Sequence, residues 1–177
     1  MEWDRNVSAN ESEQFERIVL PHLDAAYNLA RWLAGNDHDA EDIAQEACVR
    51  AFRFLGGYRG GDSRSWLLAI VRNTAFSWLK KNRSQSMVSI PDDELAEIED
   101  QKSPAAGNYH ADAGALRAAL ASLPLEFREA LVLRELEGLS YKEIAEIAGV
   151  PVGTVMSRLA RARRQLQTYF SKLGGDR

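Results

Sequence analysis

The stretch Ser140-Tyr-Lys-Glu-Ile-Ala-Glu-Ile-Ala-Gly-Val-Pro-Val-Gly-Thr-Val-Met-Ser-Arg-Leu159 leaves the chain around it few folds to choose from. Ser140 and Glu143 stand at the spacing of a capping box, in which hydroxyl and carboxylate each satisfy a backbone N–H that a helix start leaves unpaired. Ile144, Ala145, Ile147 and Ala148 give that short helix an apolar side, and Ala145 is small enough to let a second helix cross closely. Gly149 supplies the permissive backbone for a turn, and Pro151 fits the first turn of the next helix, where its missing N–H is no loss. The spacing predicts a helix-turn-helix.

In the second helix Val155, Leu159, Ala162 and Leu166 fall on one stripe, which leaves Ser157, Arg158, Arg161 and Arg164 facing outward. Pro151 to Lys172 holds four Arg and one Lys against no acid, a local +5 in a chain whose net charge is −4. A helix in the major groove uses such charge on phosphates and the Arg forks on guanine edges. A solvated basic helix or a coiled-coil end accounts for the charge alone. It does not account for capping box, small residue, turn glycine and proline all in register.

No apolar run approaches the roughly 20 residues of a membrane span, so a soluble chain without membrane insertion is expected. Met1 to Asn10 lacks a basic stretch followed by an apolar core, which argues against a signal peptide. A single Cys48 excludes an internal disulfide, and three scattered histidines (His22, His38, His110) offer no cluster for a metal. Cys48 lies in an apolar helical pattern and reads as a structural thiol rather than a redox sensor.

From Ser84 to about Asp112 the periodicity disappears. Pro91, Pro104 and Gly107 interrupt it, and seven acids (Asp92, Asp93, Glu94, Glu97, Glu99, Asp100, Asp112) face only Lys102, a net charge of −6. Such a stretch buries too little apolar area to order itself, so residues 85–112 read as a flexible acidic linker between domains at 10–84 and 113–172. On either side everything reads as helix, and the expected fold is all-α, two small helical bundles. Phe15, Ile18, Val19, His22, Leu23, Ala26, Tyr27, Ala30 and Leu33 form one stripe that Pro21 is expected to kink and Gly35 to end. Ala40, Ile43, Ala44, Ala47, Ala51 and Leu55 form a second, closed by Gly56-Gly57. Leu67, Ile70, Val71, Thr74, Ala75, Trp78 and Leu79 form a third, on a helix from about Ser63 to Arg83. These make a three- to four-helix bundle just large enough to fold alone.

The other face of the second helix carries Asp39, Glu41, Asp42, Gln45, Glu46, Arg50 and Arg53, acids first and bases last, as the helix dipole favours. Carboxylates on one helix fan outward rather than converge, and no His or Ser pairs with them, so neither a metal site nor a hydrolytic site is supported and no cofactor is expected. The third helix follows a glycine-rich loop, Gly56-Gly-Tyr-Arg-Gly-Gly-Asp-Ser63, and its polar face offers Arg64, Trp66, Arg72, Asn73, Phe76, Lys80, Lys81 and Arg83. Rings interleaved with cations suit single-stranded or opening DNA, because rings stack on unpaired bases while cations hold the backbone. Trp66 and Trp78 at helical spacing also fit a core, Trp78 above all.

From Phe15 to Phe170 the chain resembles the extracytoplasmic-function (group 4) σ factors of bacterial RNA polymerase, non-enzymatic members of the sigma-70 family. Asp39-Ala-Glu-Asp-Ile-Ala-Gln-Glu-Ala-Cys-Val-Arg-Ala-Phe52 is similar to the family's core-binding segment. Arg64-Ser-Trp-Leu-Leu-Ala-Ile-Val-Arg-Asn-Thr-Ala75 is similar to its promoter-melting helix, and Leu123-Pro-Leu-Glu-Phe-Arg-Glu-Ala-Leu131 with Tyr141 to Leu166 to its −35-binding domain.

The resemblance implies a σ2 bundle (region 2) and a σ4 bundle (region 4) without σ3. It places Asp39, Glu41, Asp42, Gln45 and Glu46 on the clamp helices of the largest polymerase subunit, with σ4 on the flap. Tyr58 and Arg59 of the loop would hold a flipped base of the −10 element, and Arg64, Trp66, Arg72 and Asn73 would support strand separation. Thr154, Ser157, Arg158, Arg161 and Arg164 would meet the −35 element, and the acidic linker would thread the RNA exit channel. An anti-sigma factor and a cytoplasmic location follow from membership too. Met156 departs from the Arg or Lys of many relatives, and Tyr58 with paired glycines from a more usual Phe-Arg-Gly-Asp order. The alternative is a free-standing helix-turn-helix repressor or activator, which would leave residues 15–83 unemployed.

Overall fold

The computed structural model describes residues 2–87 and 107–174, with side chains at 10–82 and 113–173. Most of the acidic linker, residues 88–106, and the side chain of Arg83 lie outside the described residues. Among the described residues there is no strand, and no helix is long and apolar enough to cross a membrane.

The first bundle consists of α1 (Glu2–Ile18), α2 (Leu23–Ala34), α3 (Asp37–Phe54) and α4 (Ser63–Met87). Pro21 does more than kink a helix. It lacks the donor a continuing helix needs and its ring crowds the preceding turn, so α1 stops and a 3-10 turn at Leu20–His22 starts α2 afresh. Gly35 ends α2 with φ at 82°, a left-handed conformation that glycine adopts without strain. The next residue, Asn36, caps α3 by accepting from the Asp39 N–H at 2.8 Å.

Ala40, Ala47 and Ala51 of α3 are fully buried, and their small size lets α2 and α4 approach closely. Leu29, Leu33, Ile43, Leu67, Leu68 and Val71 fill the space between. Leu29 and Leu68 widen the stripes expected from the sequence. α4 runs on to Met87, four residues past Arg83.

The second bundle contains α5 (Gly107–Ala121), α6 (Leu125–Leu131), a π turn (Val132–Leu136), α7 (Tyr141–Ala148) and α8 (Val152–Gly174). α5 begins inside the stretch read as linker. Leu123, Leu131, Leu133, Ile144, Val155, Leu159 and Ala162 are buried and form its core, continuous with that of the first bundle. The π turn is closed by the Glu137 N–H donating to the Val132 carbonyl at 3.1 Å.

Arg128, 9% exposed, ties the two halves. Its guanidinium donates to the carbonyls of Leu120 at 2.8 Å, Ala121 at 2.8 Å and Leu123 at 3.2 Å, and to that of Leu33 in α2 at 3.0 Å. The end of α5, the turn after it and the end of α2 present these carbonyls together, Leu120 O also taking the Leu123 N–H at 3.1 Å, and a single cation, favoured at a helix C-terminus, collects them.

Candidate nucleic-acid interface

The α7–α8 hairpin is built as the sequence spells it. Ser140 N–H donates to the Glu143 carboxylate at 2.7 Å, and Glu143 N–H donates to the Ser140 hydroxyl at 3.2 Å. These bonds hold the Glu143 carboxyl below the ordinary range. Gly149 closes α7 with φ at 66°, and Thr154 N–H donates to Pro151 O at 3.0 Å as α8 opens. With Val155, Leu159 and Ala162 anchored, Ser157, Arg161 and Arg164 are exposed and Thr154 is half-buried. Met156 is 53% exposed beside them.

Arg158 corrects the expectation of four outward residues. Its side chain is only 19% exposed and its Nη1 lies 3.7 Å from the Glu129 carboxylate. The cause is register. Arg158 directly precedes the anchored Leu159 and leans toward the back of the hairpin, where Glu129 is.

On α3 the acids stand apart from one another. Asp39 accepts from the Asn36 amide at 2.8 Å, Asp42 faces His38 at 3.8 Å, and Glu46 pairs with Arg50 at 2.8 Å. Glu41 and Gln45 are exposed. Val49, Phe52 and Phe54 are 46%, 45% and 58% exposed, and Phe52 meets Phe15 edge-on at 5.5 Å. This apolar end of the acidic helix went unnoticed in the sequence, although three apolar residues off the buried stripe signal it.

In the loop before α4, Gly60 and Gly61 adopt φ of 87° and 95°. Tyr58 donates to Gly61 O at 2.7 Å and packs on Trp66 at 5.1 Å. Asp62 caps α4, its carboxyl lowered chiefly by the Ser65 hydroxyl. Arg59 and Asn73 are exposed, and Trp66 is half-buried and packed against the core.

Arg64 and Arg72, expected on an open face, instead meet the second bundle. Arg64 donates to the Glu137 carboxylate at 2.5 Å and to the Glu137 carbonyl at 3.0 Å. Arg72 donates to Glu129 at 2.5 Å while its guanidinium lies 3.8 Å from the centre of the Phe76 ring. Glu129 is fully buried, so its carboxyl is pushed up by desolvation, which Arg72 and Arg158 oppose. The sequence signal for Glu129 was partial: it directly precedes the apolar run Ala130 to Leu133, where charges are rarely buried unless paired, but Glu126 and Arg128 share the segment. Between α4 and α7 a groove of about 290 Å³ remains, lined among others by Asp62, Trp66, Glu143 and Glu146.

Over residues 18–85 the chain matches the family described as Sigma-70 region 2, and over residues 113–166 the family described as Sigma-70, region 4. It is 40% identical over 159 residues to the ECF RNA polymerase sigma factor SigE of Mycolicibacterium smegmatis, spanning 89% of this chain and 62% of that relative's length. It is 34% identical to the RNA polymerase sigma-H factor of Pseudomonas aeruginosa, over 94% of this chain and 91% of that one. It is 37% identical to the ECF RNA polymerase sigma-E factor of Escherichia coli K12, over 94% and 92%. Among solved structures it is similar to the sigma factor RpoE from Bartonella quintana, co-crystallised with the anti-sigma factor NepR. That match has a TM-score of 0.72 and 28% identity over 89% of this chain and 96% of that one. It shares its fold with CnrH, solved with the cytosolic domain of CnrY, at a TM-score of 0.66 and 23% identity over 96% and 97% of the two chains.

Proposed function

The chain belongs to the sigma-70 family as an extracytoplasmic-function sigma factor, and from that membership we propose how its two bundles divide the work of starting transcription. It binds core RNA polymerase, directs it to promoters with −35 and −10 elements and helps melt the −10 region. It is an initiation factor rather than an enzyme, and it acts where the polymerase is, in the cytoplasm. Residues 10–84 form region 2, 85–112 the linker and 113–172 region 4. The observation that carries the reading is the anchored α8, which presents Ser157, Arg161 and Arg164 beyond a capped turn. A free-standing repressor is not favoured, because it has no use for a second bundle with a glycine loop and an acidic docking face. Run-off transcription with core polymerase over genomic fragments tests the reading, and no transcript from any fragment would overturn it.

Region 2 docks through Asp39, Glu41, Asp42, Gln45 and Glu46 on a basic surface of the polymerase, with Val49 and Phe52 extending the contact as apolar neighbours. Asp42→Lys with Glu46→Lys is expected to slow association with core and to change its salt dependence, since rim charges act mainly on the on-rate. Stopped-flow binding checks this, and unchanged kinetics at physiological salt would return these acids to helix-dipole matching.

Region 4 reads the −35 element through Ser157, Arg161 and Arg164, with Thr154 at the start of the helix. Arg161→Ala is expected to cost about 1–3 kcal/mol of promoter affinity if its fork reads a base edge. Transcription from a −35-dependent promoter measures it, and wild-type output would remove Arg161 from the base-reading set. An anti-sigma factor is a further expected partner, since the relative RpoE was crystallised with one.

A further inference from the structure

Resting on the sigma-factor reading, we propose that Met156 is a specificity-determining residue of region 4: its thioether side chain reads a thymine of the −35 element by closing on the C5-methyl group.

Met156 is 53% exposed, and Val152, one turn before it, is 41% exposed. Both stand in the opening turns of α8, the end of a recognition helix that reaches base edges. A helical side chain leans toward the N-terminus, so Met156 covers the turn that Val152 opens and the two make one small apolar spot. The rest of the outer face is polar or small: Ser157 and Arg164 are exposed, as are Gly153 and Ala160. A Cβ added at Gly153 would meet nothing within 4 Å, so the chain's own packing has no need of a glycine there. Glycine in a helix costs stability relative to alanine. The room it leaves is on the outside, where a base pair comes close to the helix.

Two side chains are too little for a protein partner, whose apolar patches exceed roughly a few hundred Å². The spot fits a single small apolar group. In the major groove thymine carries such a group, the C5-methyl, while the other base edges present donors and acceptors that a thioether serves poorly. The same chemistry argues against a phosphate, since Met156 has neither charge nor donor. Arg163, the cation seven residues on along the same side, is engaged with the Glu135 carboxylate at 2.7 Å. Methionine is also unbranched and polarizable, so it adapts to where the methyl lies. Arg161 follows Met156 by five residues, roughly 140° of helix, and is exposed on the other flank of the outer face. The arginine is thus free for a guanine edge while the methionine takes the methyl, and the two divide the element between them.

The test uses the full chain with core polymerase, on a genomic fragment from which it gives a run-off transcript. Each thymine of the −35 region, on either strand, is replaced in turn by deoxyuridine, which lacks only the methyl. At one position the replacement is expected to weaken binding about fourfold, the loss for one buried methyl. Met156→Ala is expected to lose at least as much on the unaltered fragment and nothing further on the uridine fragment, because both changes remove the same contact. Met156→Leu is expected to keep the dependence on the methyl. The salt dependence of binding is expected to stay that of wild type in both variants, since no phosphate contact is lost. An unaltered affinity at every uridine position would overturn the proposal. So would a uridine effect of equal size in Met156→Ala, or a shallower salt dependence in that variant. Absence of a run-off transcript from every fragment would overturn the sigma-factor reading instead.

Discussion

An Arg59→Ala, Asn73→Ala double variant is expected to dock on core polymerase like the wild type and yet to fail to open linear duplex DNA. Opening a duplex costs several kcal/mol in stacking and pairing, which the protein recovers by holding the extruded base and the single strand. The loop from Gly56 to Ser63 has the backbone freedom for that task; Arg59 is its exposed cation, and Asn73 is an exposed amide on α4, its Oδ1 accepting from Arg72 at 3.2 Å. Trp66 suits the experiment less well than its sequence suggests, because it is half-buried against Tyr58 and its loss would disturb the loop itself. At about 0.5–1.5 kcal/mol for the neutral hydrogen bond and about 1.5–3 kcal/mol for the charged one, losing both lowers open-complex formation by about 30-fold or more. Permanganate reactivity of unpaired thymines reads it directly. A pre-melted bubble template is expected to restore transcription, and normal reactivity on linear duplex would place melting elsewhere in the chain.

Arg128→Met is expected to be the most destabilising single change outside the apolar core, at about 3 kcal/mol or more. It removes a charged donor from four carbonyls, and bonds to charged groups contribute about 1.5–3 kcal/mol each before water replaces some of them. For a chain of this size each kcal/mol lowers the melting temperature by about 2–4 °C, so thermal unfolding measures the effect easily. The Leu33 carbonyl belongs to the first bundle, and the variant is also expected to loosen the contact between the bundles. A melting temperature within 2 °C of wild type would show that water satisfies these carbonyls as well as the guanidinium does.

The helix-turn-helix was legible down to its hydrogen bonds, because a capping box, a left-handed glycine and an entering proline are local rules read over a few residues. The buried faces of α3 and α4 were legible from their period. Leu29 and Leu68 were not, since a helix enclosed on more than one side buries a wider stripe than period alone marks. Pro21 announced a break but not its form. The contact between the bundles was invisible for another reason: Arg72 and Glu129 are 57 residues apart, and no spacing rule joins them. Arg64, Arg72 and Arg158 read as exposed because charge on the polar side of a helix is normally solvated, whereas here Glu137 and Glu129 take it up, across the two bundles for Arg64 and Arg72 and within the second for Arg158.

The π turn at Val132–Leu136 sets a limit on how this chain tolerates change in length. Eight residues of α-helix would rotate Glu137 roughly 80° away from Glu129, yet both reach α4, because the wider turn takes up the difference. Removing one residue there leaves seven α-helical steps between the two glutamates, which brings Glu137 back to within roughly 20° of the same face. The α7–α8 hairpin would keep its own shape and nearly its direction. A one-residue insertion, for which the turn has no slack left, would instead swing the hairpin by about 100° and cost more than most substitutions made on the recognition helix itself.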